Sequence, residues 1–405
     1  MKNRDILFVC QFFYPEYVSS AQLPFETAEE FAKMGYKVGV LCGYPKEYSD
    51  IKEKIALKEV YKGISIRRVR YLELNRKTVI GRLINYFSFV VAILIKIFKF
   101  KDYKYAIVYS NPPMLPIIAV LAKKLFRTHF IFVSYDVYPE IAVKAGKLRK
   151  GSLIYKLFEI TNKLVFNNVD KVIAVSKDMG EFLCSERNIS EKKVAVIPNW
   201  CEDKEGILSK QIYKNELFEA IPENAFVVSY LGNMGTCQEM QTLLDCIRKL
   251  NSRKDIHFVF AGHGNKMETI RSIVQTEKLQ QVHIFGFLKG QDYEDILRRS
   301  DIFIVTLLKG LKGLCSPSKT YNYLMAGKPV IGVMDNGMEL ALDIIENECG
   351  YIISHGKSKE MEEKIIQLKD SNILQNQMGI NARNLYYHKY KKSLCLNEYK
   401  KLLQN

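Results

Sequence analysis

Short runs of β-branched and aromatic residues alternate along the chain with stretches whose apolar positions recur every three to four residues. That is the pattern of parallel sheets covered by helices. In the first half the strand runs are DILFVC (5–10), KVGVLCG (37–43), SIRRVR (65–70), YAIVYS (105–110), HFIFVS (129–134), KVIAVS (171–176) and VAVIP (194–198). In the second half they are FVVSYLG (226–232), HFVFAG (257–262), VHIFGF (282–287), DIFIVT (301–306), KPVIGV (328–333) and GYIIS (350–354). Two such series predict two doubly wound α/β domains. The break falls just after VIPNW (196–200), where Pro198 ends a strand and the polar stretch CEDKEGILSK follows. The predicted division is therefore 1–200 and 201–385, followed by a helical tail over 386–405 that is interrupted near His388. Open sheets of this kind bind ligands at the carboxyl ends of their strands, so two of them facing across a cleft would enclose a site.

One segment departs from the pattern. GRLINYFSFVVAILIKIFKFKDYKY (81–105) gathers Leu83, Ile84, Phe87, Phe89, Val90, Val91, Ile93, Leu94, Ile95, Ile97 and Phe98 into one apolar helix. Arg76, Lys77 and Arg82 precede it, and Lys96, Lys99, Lys101 and Lys104 close it. A membrane span needs about 20 apolar residues; this run is shorter and contains Asn85 and Lys96. A helix lying in a membrane interface fits better than a span, and a core helix of the first domain is the alternative.

Composition narrows the picture. With 405 residues, 48% of them hydrophobic and 26% charged, the chain is globular and long enough for two cores. Its nine cysteines are scattered and form no C-x-x-C pair, and its six histidines lie at no metal-ligand spacing. Reduced thiols in a cytosol are expected, and no protein-bound metal. The apolar DILFVC is too short for a signal peptide and reads as the first strand. A net charge of +16 admits nucleic acid, an anionic membrane surface or a phosphorylated substrate. No basic run interleaved with aromatics supports nucleic acid.

Three turns in the second half carry candidate chemistry. YLGNMGTCQEMQTLLDCI places Gly232 and Gly235 between a strand and an amphipathic helix, where backbone N–H groups can approach a phosphate. FAGHGNKMETI repeats the arrangement with Gly262 and Gly264. It lacks the third glycine of the dinucleotide fingerprint, which disfavours a nicotinamide dehydrogenase. In GLCSPSKTYNYLMAGKPV (313–330), Ser316 and Ser318 can cap a helix with Pro317 near its start. Lys319 in the first turn opposes the helix dipole, an objection that a bound anion removes; a solvent-exposed lysine is the other reading. In the first half, Ser19 and Ser20 lie in a loop before a helix that Gly35 ends, and Asp136 and Glu140 follow the strand HFIFVS. Acids at that place face the cleft, so Asp136 and Glu140 can orient an acceptor hydroxyl; the other reading is that Asp136 caps a short helix.

Together these stretches resemble the retaining family-four glycosyltransferases, in particular the bacterial branch that builds capsule, O-antigen and exopolysaccharide. FFYPE, GYKVGVLCGYP, GISIRRVR, YSNPP, YDVYPE, DKVIAVSKDM, VIPNW, YLGNMG, FAGHG, FGFL, PSKTYNYLMAGKPVIGV and NGMELA occur in the family's order over nearly the whole chain. The resemblance implies the GT-B fold: two Rossmann-like domains, the first for acceptor and the second for donor, with a C-terminal helix crossing back to the first. It implies a nucleoside-diphosphate sugar as donor substrate, most often UDP-linked, no tightly bound cofactor and no metal on the diphosphate. Donor-side residues on this alignment are Gly232, Asn233, Gly235, Gln238, Gly262, Gly264, Phe287, Pro317, Ser318, Lys319, Asn322 and Glu339.

The chain departs from the family at telling places. Asn233 and Gln238 stand where many relatives carry an Arg and a Lys, and Leu314 and Asn322 stand where they carry paired glutamates. Glu339 is then the nearest acid for a sugar or ribose contact, with Asn322 as a neutral hydrogen-bonding partner. Ser19 and Ser20 replace an early glycine pair on the acceptor side. The implied function is metal-independent sugar transfer to a polyprenyl-diphosphate-linked glycan by a cytoplasmic protein held at the inner face of the plasma membrane. The expected partners are that acceptor, the donor and an anionic membrane surface, with no nucleic acid. A GT-B-like UDP-sugar epimerase is the alternative.

Overall fold

The near-continuous apolar runs become parallel strands buried on both faces, as such strands must be when helices cover the sheet on either side. In the computed structural model, which describes residues 2–45, 54–74, 78–204, 206–208 and 215–404, the chain forms two units. The first comprises Met1–Pro198, Gly313–Ser316 and Leu396–Asn405, the second Asn199–Lys312 and Pro317–Cys395. Arg76 and Lys77 lie outside the described residues.

The first unit holds an eight-stranded sheet of β1 (Arg4–Cys10), β2 (Val38–Gly43), β3 (Lys58–Tyr61), β4 (Ile64–Val69), β5 (Tyr103–Tyr109), β6 (His129–Ser134), β7 (Lys171–Ala174) and β8 (Val194–Val196). The order is β3-β4-β2-β1-β5-β6-β7-β8. All neighbours pair in parallel except β3 with β4. β3 is the strand that periodicity does not reveal: KEVY is four residues long, half polar and alternately exposed at a sheet edge. The covering helices are α1 (Ser19–Lys33), α2 (Val79–Leu94), α3 (Pro116–Phe126), α4 (Glu140–Lys144), α5 (Leu153–Asn168) and α6 (Lys177–Arg187).

α2 is neither a pure core helix nor long enough to cross a membrane, and no described helix is. It buries Phe89 and Ile93 and turns Ile80, Phe87 and Leu94 to solvent. Asn85, which argues against a span in the sequence, is fully buried: its amide accepts from the Leu74 N–H at 2.7 Å and donates to the Leu74 carbonyl at 2.9 Å. The polar residue thus pins an incoming loop.

The second unit holds a six-stranded parallel sheet of β9 (Phe226–Asn233), β10 (Ile256–His263), β11 (Val282–Phe285), β12 (Ile302–Thr306), β13 (Val330–Val333) and β14 (Gly350–Ile353), ordered β11-β10-β9-β12-β13-β14. Its helices are α7 (Gln241–Lys249), α8 (Met267–Thr276), α9 (Gly290–Arg299), α10 (Lys319–Met325), α11 (Glu339–Glu346), α12 (Ser358–Asp370) and α13 (Asn372–Leu385). The tail breaks where expected. A π-helical turn over Tyr386–Tyr390 and an extended Lys391 separate α13 from α14 (Lys392–Gln404), with Tyr386 and Tyr390 buried.

The register of β9 and β10 places Gly262 opposite Gly232. Gly262 has φ +149°, and a Cβ there would lie 1.9 Å from the Gly232 carbonyl oxygen. Only glycine lets the two strand ends come this close. Gly262→Ala is therefore expected to destabilise the second unit by about 3 kcal/mol, read as a lowered midpoint in urea unfolding; an unchanged midpoint would mean that the strand ends do not meet.

Candidate functional site

The carboxyl ends of β9 and β10 and the start of α10 converge in the second unit. The β9 turn does not lead straight into a helix as its glycines suggested. Residues 234–240 intervene, and the Glu239 carboxylate accepts from the Thr242 N–H at 3.0 Å at the start of α7. That helix end already has its anion. Within the turn, the Gly235 N–H donates to the Gln238 side chain at 2.8 Å, and the Met234 N–H to the His263 carbonyl at 2.6 Å. Gly264 packs against Met234, where a Cβ would meet the backbone at 2.4 Å. The turn is tight and leaves Asn233 and Gln238 with outward-facing carbonyls.

Two lysines meet those carbonyls. Lys319, the first residue of α10, is half-buried and donates from Nζ to the Tyr230 hydroxyl at 2.5 Å and to the Asn233 carbonyl at 3.0 Å. Its stem runs beside Gly232. Lys266, at the N-cap of α8, donates from Nζ to the Gln238 carbonyl. Each stands at a helix start, where a cation opposes the dipole, and among the described residues neither forms an ion pair. Burial pushes the Lys319 ammonium down to about 7 and lowers that of Lys266. Asn233 and Gln238 are the positions where the resemblance expected cations, so the charge arrives on other elements. The sequence reading does not single out Lys266, whose partner Gln238 lies in the preceding βα unit.

The remaining donor-side expectations separate. Ser318 occupies the N-cap of α10 with helical dihedrals and no side-chain cap bond, because the Thr320 N–H already bonds the Pro317 carbonyl. Asn322 lies half-buried on the Lys319 face of α10, one turn on. Phe287 is partly exposed, with its ring 5.6 Å from that of His263. Glu339 is not an unengaged acid. It is buried at the start of α11 and ion-paired with Lys389 at 2.7 Å, alongside Asp343 at 2.6 Å. Its carboxylate helps fasten the π-helical turn.

In the first unit, Asp136 follows β6 and pairs in an isolated antiparallel bridge with Cys315. It caps no helix: α4 begins at Glu140, after Pro139, with no side-chain cap. Burial raises its carboxyl to about 6. Glu140 is held by Arg187 at 2.6 Å, which assigns it to joining α4 with α6. Ser19 and Ser20 are not in a loop but are the first two residues of α1, because the Ala21 and Gln22 N–H groups already turn back to the Val18 carbonyl. Leu314, at the site of a missing glutamate, is buried, and its carbonyl accepts from the Val137 N–H at 2.9 Å. Among the described residues no three His, Cys, Asp or Glu side chains gather as a metal site requires.

Two family models match the chain. Residues 23–204 match the family model Glycosyltransferase Family 4, and residues 214–385 match Glycosyl transferases group 1. A probable glycosyltransferase of Pseudomonas aeruginosa, WbjE, is 28% identical over 60% of this chain and 60% of its own length, so the match spans less than two thirds of that relative. The UDP-Gal:alpha-D-GlcNAc-diphosphoundecaprenol alpha-1,3-galactosyltransferase of Escherichia coli is 24% identical over 72% of this chain and 73% of its own. The crystal structure of Anabaena HepE in complex with UDP superposes with a TM-score of 0.72 at 14% identity, covering 99% of each chain. The fold is GT-B.

The lysine pair makes a direct prediction for inorganic diphosphate in a calorimetric titration. Because the Lys319 pKa is depressed to about 7, the cation is lost, and affinity falls, as pH rises through 7. Lys319→Ala is expected to weaken binding about tenfold to a hundredfold at pH 6 and to flatten that dependence. An unaltered dissociation constant would remove Lys319 from the site.

Proposed function

Since the chain joins a Glycosyltransferase Family 4 region to a Glycosyl transferases group 1 region on the GT-B fold, we propose that it transfers a sugar, with retention, from a UDP-linked donor to a polyprenyl-diphosphate-linked acceptor in surface polysaccharide biosynthesis. The observation that carries this reading is the pair of partly desolvated lysines, Lys319 and Lys266, converging on the β9 turn. They suit a diphosphate leaving group. The lipid-linked acceptor is supported by the E. coli relative, whose name specifies a diphosphoundecaprenol substrate, and by the outward apolar side chains of α2.

In the proposed reaction the bond from the anomeric carbon to the diphosphate oxygen breaks while the acceptor oxygen bonds to that carbon on the same face. The acceptor proton passes to the departing phosphate. Lys319 and Lys266 meet the charge that grows on that phosphate, as preorganised donors do in a partly dry site, so the reaction needs no metal. Asp136, ionised above about pH 6, accepts a hydrogen bond from the acceptor hydroxyl and aims it. The protein works at the cytoplasmic face of the membrane, where such acceptors and nucleotide sugars meet.

The test is acceptor-dependent release of UDP in the presence of a chelator. Transfer that requires added metal, or turnover of donor without acceptor, would overturn the reading. Asp136→Asn is expected to lower kcat about a hundredfold while leaving the UDP dissociation constant unchanged. Because the Asp136 pKa is raised to about 6, wild-type rate should fall as pH drops through 6; the variant should lose that limb. A limb that persists in Asp136→Asn belongs to another group.

A further inference from the structure

The notable surface of the first unit extends well beyond α2. On α5, Leu153, Leu157, Ile160 and Leu164 are 86%, 48%, 60% and 43% exposed. Their spacing of four, three and four residues sets them in one stripe on one face. The other side of the same helix buries Tyr155, Thr161, Val165 and Phe166. A helix apolar on both sides, with one side open, presents a surface that water does not favour. α3 packs between α5 and α2, and it adds exposed Leu121 and Leu125. Phe98, just beyond α2, reaches the Phe126 ring of α3 at 5.9 Å. The apolar faces of α2, α3 and α5 are thus neighbours.

Charge identifies what covers them. Lys144, Lys147, Arg149 and Lys150 lead into α5, and Lys156 and Lys163 flank its stripe, all exposed. Glu159 is the one exposed acid between residues 141 and 168. Lys124 and Arg127 continue the cationic rim at α3, and Lys96 and Lys101 at the end of α2. A second copy of the chain on this face would bring cationic rims together about a two-fold axis, which repels. An anionic bilayer satisfies both features, because acyl chains take up the leucines and headgroups meet the lysines.

We propose that α5 inserts its Leu153–Leu164 stripe into an anionic lipid surface, so that the first unit rests on the membrane through α2, α3 and α5 together. The proposal rests on the membrane reading of the preceding subsection and deepens it by adding a second inserted helix. Two helices held at fixed separation define a plane, which a single α2 contact does not. The orientation of the first unit over the bilayer is then set.

Flotation with phosphatidylglycerol-containing vesicles, with phosphatidylcholine vesicles as control, tests this on the full chain. The wild type is expected to float with the anionic vesicles alone and to be released by salt. Leu153→Ser combined with Ile160→Ser should weaken partitioning about tenfold or more, while diphosphate affinity and melting temperature stay unchanged because neither side chain is buried. Hydrogen exchange across residues 153–164 should slow on vesicles. If the wild type floats and the double variant floats equally, α5 does not insert and the α2 contact alone stands. If the wild type does not float, the membrane reading itself fails. If the double substitution instead abolishes a dimer seen by light scattering, the face binds a second copy and the proposal is overturned.

Discussion

The second unit's site depends on one constraint: Lys319 is drawn partly out of water without a carboxylate to meet it. Its Nζ donates to a phenol and a carbonyl and lies 3.9 Å from the Tyr230 ring centroid, so dipoles and a ring face meet the charge, and burial lowers the ammonium to about 7. The rest of the local structure serves this placement. Gly262 lets β10 approach β9, the close approach fixes the β9 turn, and the turn aims the Asn233 and Gln238 carbonyls at Lys319 and Lys266. A lone cation held this way is a receptor for an anion, since a phosphate supplies what the protein withholds.

The departures from the family pattern become intelligible once the structure is in view. An acid at position 314 would sit in a buried place beside the Val137 backbone, where a leucine is stable and an unpaired carboxylate is not. The backbone of the neighbouring Gly313 donates instead to the Asp178 carboxylate at 2.7 Å, so an acid does support this loop, from α6. Near positions 233 and 238, where the family's cations are absent, the ammonium groups of Lys319 and Lys266 donate to the Asn233 and Gln238 carbonyls.

The fold was legible because its signal is local. Thirteen runs stood out by their apolar, β-branched and aromatic residues, whereas KEVY at the β3 edge is four residues long and mixes polar with apolar residues on each face. The site was only partly legible. Lys319 declared itself by standing against a helix dipole, a one-residue argument that needs no partner. Glu339 misled, because the acid lies next to a conspicuous turn in the chain while its partner Lys389 is fifty residues away. Lys266 was overlooked for the same reason: its relation to Gln238 crosses from one βα unit to the next. What sequence periodicity cannot supply is the pairing of polar tips across elements, and that pairing decides which charged groups are occupied and which await a ligand.

A depressed lysine pKa has a consequence for selectivity between states of a bound phosphate. Drawing a proton onto Lys319 at neutral pH costs free energy until an anion arrives, and each unit by which the anion raises the pKa returns about 1.4 kcal/mol. The return grows with the negative charge on the group bound. A phosphate oxygen still tied to a sugar carries less charge than one from which the sugar is departing, so the same ammonium holds the second more strongly. A fully solvated lysine, already protonated, draws less of this difference, because water screens it in both states. In the proposed transfer, partial burial of Lys319 therefore favours the state in which the bond has begun to break.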